Sequence, residues 1–107
     1  MIKITYTHEF SKEYKRLSKK YPSLETDIKA LIKSLSVNPT MGKSLGSHLF
    51  KVRWQVKCKG QGKSGGIRII TYFKLNNEKL RLVTLYDKSE KEMISIKELR
   101  ALVNSIE

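Results

Sequence analysis

Residues 57–74 read KCKGQGKSGGIRIITYFK, and the fold turns on the residues that come after their glycines. Gly60, Gly62 and Gly65 spell G-x-G-x-x-G, and Gly62, Lys63 and Ser64 spell the tail of a Walker A loop. Both phosphate cradles need a helix directly after the glycines, because the helix N-terminus holds the phosphate. Here the next residues are Ile67, Arg68, Ile69, Ile70, Thr71, Tyr72 and Phe73, a β-branched and aromatic run that belongs in a strand. A Walker A loop also needs glycine at position 57, where Lys57 stands. The stretch is therefore read as a cationic hairpin loop between two strands. Its glycines let backbone approach a phosphate closely.

Working outward, the strand before the loop is residues 49–57, LFKVRWQVK. Phe50, Val52, Trp54 and Val56 fall on one face, and Leu49, Lys51, Arg53, Gln55 and Lys57 on the other, which is period-two alternation with a cationic side. After the loop, Ile67, Ile69, Thr71 and Phe73 alternate with Arg68, Ile70, Tyr72 and Lys74. Asn76 and Asn77 mark a turn, and residues 80–86, LRLVTLY, form a further strand. Short turns between these runs predict an antiparallel three-strand meander.

Toward the N-terminus, residues 2–6 alternate as a half-buried strand does, and Thr7 is placed to cap a helix. Phe10, Tyr14, Leu17 and Tyr21 then recur at helical spacing until Pro22 interrupts them. A second helix over 23–37 carries Leu24, Ile28, Leu31, Ile32 and Leu35 as its apolar stripe and stops at Asn38 and Pro39. The segment PTMGKSLGS, residues 39–47, reads as a loop. At the other end, Ser95 and Glu98 form a capping box before a helix over 95–106, with Ile96, Leu99, Leu102, Val103 and Ile106 as its buried stripe. The expected class is α+β: an N-terminal strand, a helical hairpin, the meander completing a small sheet, and a C-terminal helix, in one domain over residues 1–107.

The 107 residues carry 22 Lys and Arg against 10 Asp and Glu, a net charge of +12. Residues 28–77 contain no acidic residue and ten basic ones: Lys29, Lys33, Lys43, Lys51, Arg53, Lys57, Lys59, Lys63, Arg68 and Lys74. Such a block suits a polyanionic partner. No apolar run approaches the ~20 residues of a membrane span. The N-terminus lacks the apolar segment of a secretory signal, so the expected location is the cytoplasm. The lone cysteine, Cys58, has no cysteine partner for a disulfide or a zinc site and is read as a buried or incidental thiol. His8 and His48 fall at the start of the first helix and just before the first meander strand, and they are read as surface or capping residues.

Several of these pieces together resemble a known family. KGQGKSGGIRIITYF (59–73), preceded by LFKVRW (49–54) and followed by LVTLYDKSEKEMISIKEL (82–99), resembles the RelE/ParE toxin superfamily, most closely its HigB-like branch with a G-K-S-G-G-x-R motif. HEFSKEYKRLSKKYPSLETDI (8–28) matches that family's helical hairpin, and SVNPTMGKSL (36–45) its helix-ending N-P-x-x-G. The resemblance implies a toxin neutralised by a cognate antitoxin, with no cofactor. RelE-like members enter the ribosomal A site and cleave mRNA, and ParE-like members poison DNA gyrase. By the same resemblance Arg68 is the phosphate-binding catalytic arginine. Lys51, Arg53 and Lys88 are further site cations, and Lys57, Lys59 and Lys63 are loop contacts to RNA. Such enzymes commonly place a catalytic tyrosine shortly after the last strand. EKEMIS (90–95) has none, which leaves Tyr86 and Tyr72 as nearby substitutes.

Cleavage of RNA without a metal uses the 2′-hydroxyl as nucleophile, with a base to take its proton, cations to stabilise the phosphorane, and an acid for the leaving 5′-oxygen. A two-metal nuclease needs clustered carboxylates, and the basic block has none. In the expected division of labour a lysine of this strand or loop is the base, Arg68 and Arg53 hold the phosphate, and Lys88 or a tyrosine supports the leaving group. Tyr72 or Tyr86 would stack an unpaired base. Two further readings stay open: a ParE-like gyrase poison, and a non-catalytic basic module that only follows RNA phosphates.

Overall fold

The computed structural model describes residues 2–59, 66–76, 78–90 and 94–106. In chain order these form β1 (Lys3–Tyr6), α1 (His8–Lys20), α2 (Leu24–Val37), β2 (Lys43–Gly46), β3 (Leu49–Trp54), a single 3₁₀ turn (Lys57–Lys59), β4 (Ile67–Lys74), β5 (Lys79–Asp87) and α3 (Ile96–Ile106). One five-stranded sheet has the order β1-β5-β4-β3-β2. β1 runs parallel to β5, and every other pair is antiparallel.

The α+β class is as the sequence predicts, but the antiparallel part has four strands rather than three. The extra one is β2, which pairs with β3 through Lys43 and Lys51 and lies inside the segment read as a loop. The β2–β3 turn places Ser47 and His48 at φ 53° and 66°. Two consecutive left-handed residues make a tight hairpin turn, normally announced by Asn or Gly, and a Ser-His pair gives no such signal. β3 in turn stops at Trp54 instead of running to 57. The Lys57 N–H leaves the ladder and donates to the Asp27 carboxylate on α2 (3.1 Å), a side-chain acceptor that competes with strand pairing.

The helical hairpin covers one face of the sheet. Phe10 and Leu17 of α1 and Leu24, Ile28, Leu31 and Leu35 of α2 pack on Val52, Ile67, Ile69, Phe73, Leu80, Leu82 and Leu85. Burying each of these side chains stabilises the fold by about 1.5–3 kcal/mol before entropy is counted. Thr7 caps α1 as expected: its Oγ1 accepts from the Phe10 N–H (3.1 Å). The same hydroxyl donates to the Val83 carbonyl (2.6 Å). Val83 is the residue left over where the β4–β5 register shifts between Ile70 and Thr71, so the cap also ties α1 to this bulge.

The opposite face carries a smaller cluster, Leu49, Ile70, Val83 and Tyr86, against which Leu99, Leu102 and Val103 of α3 pack. The Ser95 capping box forms, with the Glu98 N–H donating to Ser95 Oγ (3.1 Å) and the Ser95 N–H to Glu98 Oε1 (3.3 Å). Ile96 departs from the expected stripe and is 69% exposed, being the first residue of the helix and on its outer side. The side chain of Ile106 lies outside the described residues. Among the described residues no helix is long and apolar enough to cross a membrane.

Candidate functional site

The register brings three of the sequence-predicted residues into one row. Arg53 of β3 is the direct cross-strand partner of Arg68 of β4, and Arg68 is the direct partner of Tyr86 of β5. Neighbouring strands lie about 5 Å apart. One row along, Lys43 of β2 pairs with Lys51 of β3. Residues two apart share a strand face, so Lys51 and Arg53 are on the same side. An open cleft of about 460 Å³ is lined by Met41, Gly42, Lys43, Lys51, Val52, Arg53 and Arg68. Four of its seven lining residues are cations, and none is acidic.

Arg68 is the central feature. Its side chain is only 7% exposed. Among the described residues its one hydrogen bond is a marginal 3.5 Å contact from Nη1 to the carbonyl of adjacent Ile67, and no carboxylate pairs with it. A guanidinium that is desolvated without a counter-ion is expensive, and a second arginine directly opposite adds to the cost. A bound phosphate removes both penalties, because the planar fork matches phosphate oxygens bidentately.

Two glycines leave the backbone room beside this cleft. Gly42 has φ 96°, and a Cβ there would sit 2.5 Å from the Lys51 carbonyl oxygen. Gly66 has φ 97°, and its Cβ would sit 2.4 Å from the Trp54 carbonyl oxygen. No other residue type satisfies both the dihedral and the contact. Gly66 is thus the point where the chain re-enters the sheet, two residues before Arg68.

The remaining sequence candidates are more scattered. Tyr86 is in register with Arg68 but only 6% exposed, packed beneath α3. It borders a second cavity of about 480 Å³, between α1 and α3, whose lining includes Glu9, Glu13, Arg16, Glu90 and Glu98. Four carboxylates make that cavity a poor place for a phosphate. Arg16 donates to both Glu13 and Glu90 there, which holds the Glu90 carboxyl below the usual carboxylate range and keeps the Arg16 guanidinium firmly protonated. Lys88 comes after β5 in a turn braced by Asp87, which accepts from the Tyr21 hydroxyl and from the Ser89 N–H (2.9 Å). Tyr72 pairs with Leu49 and Arg81, packs in the α3 cluster and meets the His48 ring edge-on at 6.0 Å. It stands four residues along β4 from Arg68, roughly 13 Å at strand spacing, outside the cleft lining. Lys57 is exposed in the 3₁₀ turn past the end of β3 and does not line the cleft. Lys59 ends that turn, and Lys63 lies outside the described residues.

His8 and His48 sit on different elements, at the head of α1 and in the β2–β3 turn, and neither lines the cleft. Among the described residues no group of three or more His, Cys, Asp or Glu could hold a metal ion. Lys43 is the cleft residue that sequence reasoning did not single out. It counted within the basic block, but only the pairing of β2 with β3 shows that it stands beside Lys51.

The family of the RelE toxin of the RelE/RelB toxin-antitoxin system matches residues 3–105. The chain belongs to the RelE toxin family. Among solved structures it is similar to a double arginine-to-alanine mutant of the E. coli toxin RelE in the free state, with 14% identity, 99% of this chain and 98% of that chain covered, and a TM-score of 0.64. At that identity the likeness is one of fold. No curated protein sequence matches the chain significantly. Membership of the family of a toxin-antitoxin system implies an antitoxin as the partner of this RelE-type chain.

Proposed function

We propose that this RelE-family toxin is a ribosome-dependent mRNA endoribonuclease of the HigB-like branch, acting in the cytoplasm without a metal. The observation that carries the reading is Arg68: a buried guanidinium with no carboxylate partner among the described residues, opposite Arg53, on the wall of an open cationic cleft. That arrangement suits a phosphate, and the openness of the cleft suits a single strand threaded over the sheet edge.

In this reading Arg68 and Arg53 bind the scissile phosphate and stabilise the charge that develops on its oxygens. Lys51, two residues from Arg53 on the same face, takes the proton of the 2′-hydroxyl. The 2′-oxygen attacks phosphorus, the bond to the 5′-oxygen breaks, and a cyclic 2′,3′-phosphate and a free 5′-hydroxyl result. Lys88 or Tyr86 supplies the proton to the leaving oxygen, and Lys43 joins Lys57, Lys59 and Lys63 in tracking neighbouring phosphates. The buried position of Tyr86 favours Lys88 of the two.

The cleft is open and offers no enclosed pocket for a base, so orientation of the message falls to the ribosome. Primer extension on ribosome-bound mRNA, with free RNA alongside, tests this: cleavage on the ribosome and little on free RNA support it. Intact messages together with altered DNA supercoiling would point instead to a gyrase poison. RNA binding without cleavage would point to a non-catalytic module.

A further inference from the structure

The sheet end that carries Arg68 is tied to the helical hairpin by a buried carboxylate that the proposed chemistry does not use. Asp27, in the first turn of α2, is 3% exposed. Its Oδ2 accepts from the Lys57 N–H (3.1 Å) and from the Ser23 hydroxyl (2.8 Å). The Ser23 hydroxyl in turn accepts from the Cys58 N–H (3.0 Å). Both backbone amides at the start of the basic loop are therefore held by the head of one helix. Asp27 also reaches the strand itself, because its carbonyl accepts from Trp54 Nε1 (2.8 Å). The Trp54 carbonyl is the group that Gly66 packs against, and Gly66 leads to Arg68. One residue of α2 thus fixes where the loop leaves β3 and, through Trp54, where it returns to β4.

We propose that Asp27 is a positioning residue of the cationic cleft, setting where the chain leaves β3 at Lys57 and Cys58 and, through Trp54 and Gly66, the placement of Arg68 against the phosphate. This rests on the ribonuclease reading, and it goes beyond it by giving a role to a carboxylate remote from the cations. The charge has a reason too. A buried carboxylate accepting one N–H and one O–H makes stronger bonds than a neutral acceptor, so the loop entrance is stiffer than a hydroxyl or amide alone would leave it. Stiffness at this point matters because a misplacement of about 1 Å can cost up to about 100-fold in rate.

The chain contains a single cysteine, and Cys58 is exposed at the clamp itself. A spin label on Cys58 therefore reports on the loop entrance, while cleavage is read on unlabelled protein. In wild type the label is expected to be restrained. In Asp27→Ala it becomes mobile, and the cleavage rate on saturated ribosomes falls about 10-fold while half-saturation shifts by less than about 2-fold, as loss of geometry rather than of binding requires. Asp27→Asn keeps one acceptor oxygen without the charge and is expected to fall between Asp27→Ala and wild type in both label mobility and rate. Ser23→Ala, which removes the acceptor of the Cys58 N–H and the hydroxyl that donates to Asp27 but leaves the Lys57 N–H on the carboxylate, repeats the test with a milder lesion should Asp27→Ala not fold. A mobile label with an unchanged rate, or a restrained label in Asp27→Ala, overturns the proposal. Wild-type protein that cleaves no message, with the label still released by Asp27→Ala, contradicts the ribonuclease reading and leaves Asp27 as the anchor of the loop.

Discussion

Arg53 and Arg68 face each other as direct cross-strand partners, one exposed and the other buried. Like charges in that position lower the stability of a sheet by roughly 0.2–1 kcal/mol, and burial of one of them adds desolvation. In the proposed reading the fold gives up that stability for a site that binds an anion. An anion that fills the cleft would then return stability to the chain.

Inorganic phosphate should therefore raise the melting temperature of the wild-type protein. At ten times its dissociation constant a ligand of the native state adds about 1.4 kcal/mol, a shift of several degrees for a domain of this size. Arg68→Ala should melt at or slightly above the wild-type temperature without phosphate and respond far less to it. Equal responses in both proteins would remove Arg68 from the anion site.

Gly66→Ala should destabilise the protein by at least about 1–3 kcal/mol, because the φ of 97° is strained for alanine and its Cβ would strike the Trp54 carbonyl at 2.4 Å. Gly42→Ala meets the same obstacle at the Lys51 carbonyl. Gly46→Ala is the control. It has φ 83°, but a Cβ there meets nothing within 4 Å, so it should cost less than either. Denaturant unfolding of the three variants gives the order directly.

The features legible in the sequence are those whose signals are local. Alternation in 49–54 and 67–74 marks both faces of β3 and β4, so the inward packing of Val52, Ile67 and Ile69 is readable from the pattern alone. Thr7 and the Ser95–Glu98 box are caps whose partners lie three residues away, and both form. β2 is hidden because its turn is closed by Ser47 and His48 rather than by the usual turn residues. The cleft is half visible. The period of two places Lys51 beside Arg53, but the pairing of Arg53 with Arg68 depends on register, and Lys43 on a strand that the pattern conceals. The Asp27 clamp joins residues 30 apart through backbone amides, for which side-chain patterns carry no trace.

The Arg16–Glu90 bridge (2.9 Å) gives a prediction with a sign. Arg16 holds the Glu90 carboxyl below its ordinary range, so this contribution is present above the ordinary glutamate pKa of about 4.3 and is lost as the pH falls through the lowered folded value. Both side chains are partly exposed, which limits the contribution to about 1 kcal/mol or less. Glu90→Gln should thus be slightly less stable than wild type at pH 7, with the gap closing in acid. A gap that widens on acidification would contradict the assignment. Thermal melts from pH 7 to pH 3 decide it.

Leu102→Ala should loosen α3 from the sheet, since Leu102 packs with Leu99 and Val103 on the cluster around Tyr86. The half-buried position limits the loss to the lower part of the roughly 2–5 kcal/mol typical of such truncations. Hydrogen exchange should quicken in α3 before it does in β4. Uniform loss of protection would mean that α3 is part of the main cooperative unit.

In the proposed function Arg68 serves a phosphate of ribosome-bound mRNA. Primer extension on translated messages, after brief expression of wild type and of Arg68→Ala, tests it most directly. Wild type should yield new mRNA ends within the translated region, and an Arg68→Ala protein that folds and accumulates equally should yield none. The same ends at the same rate from Arg68→Ala would contradict it.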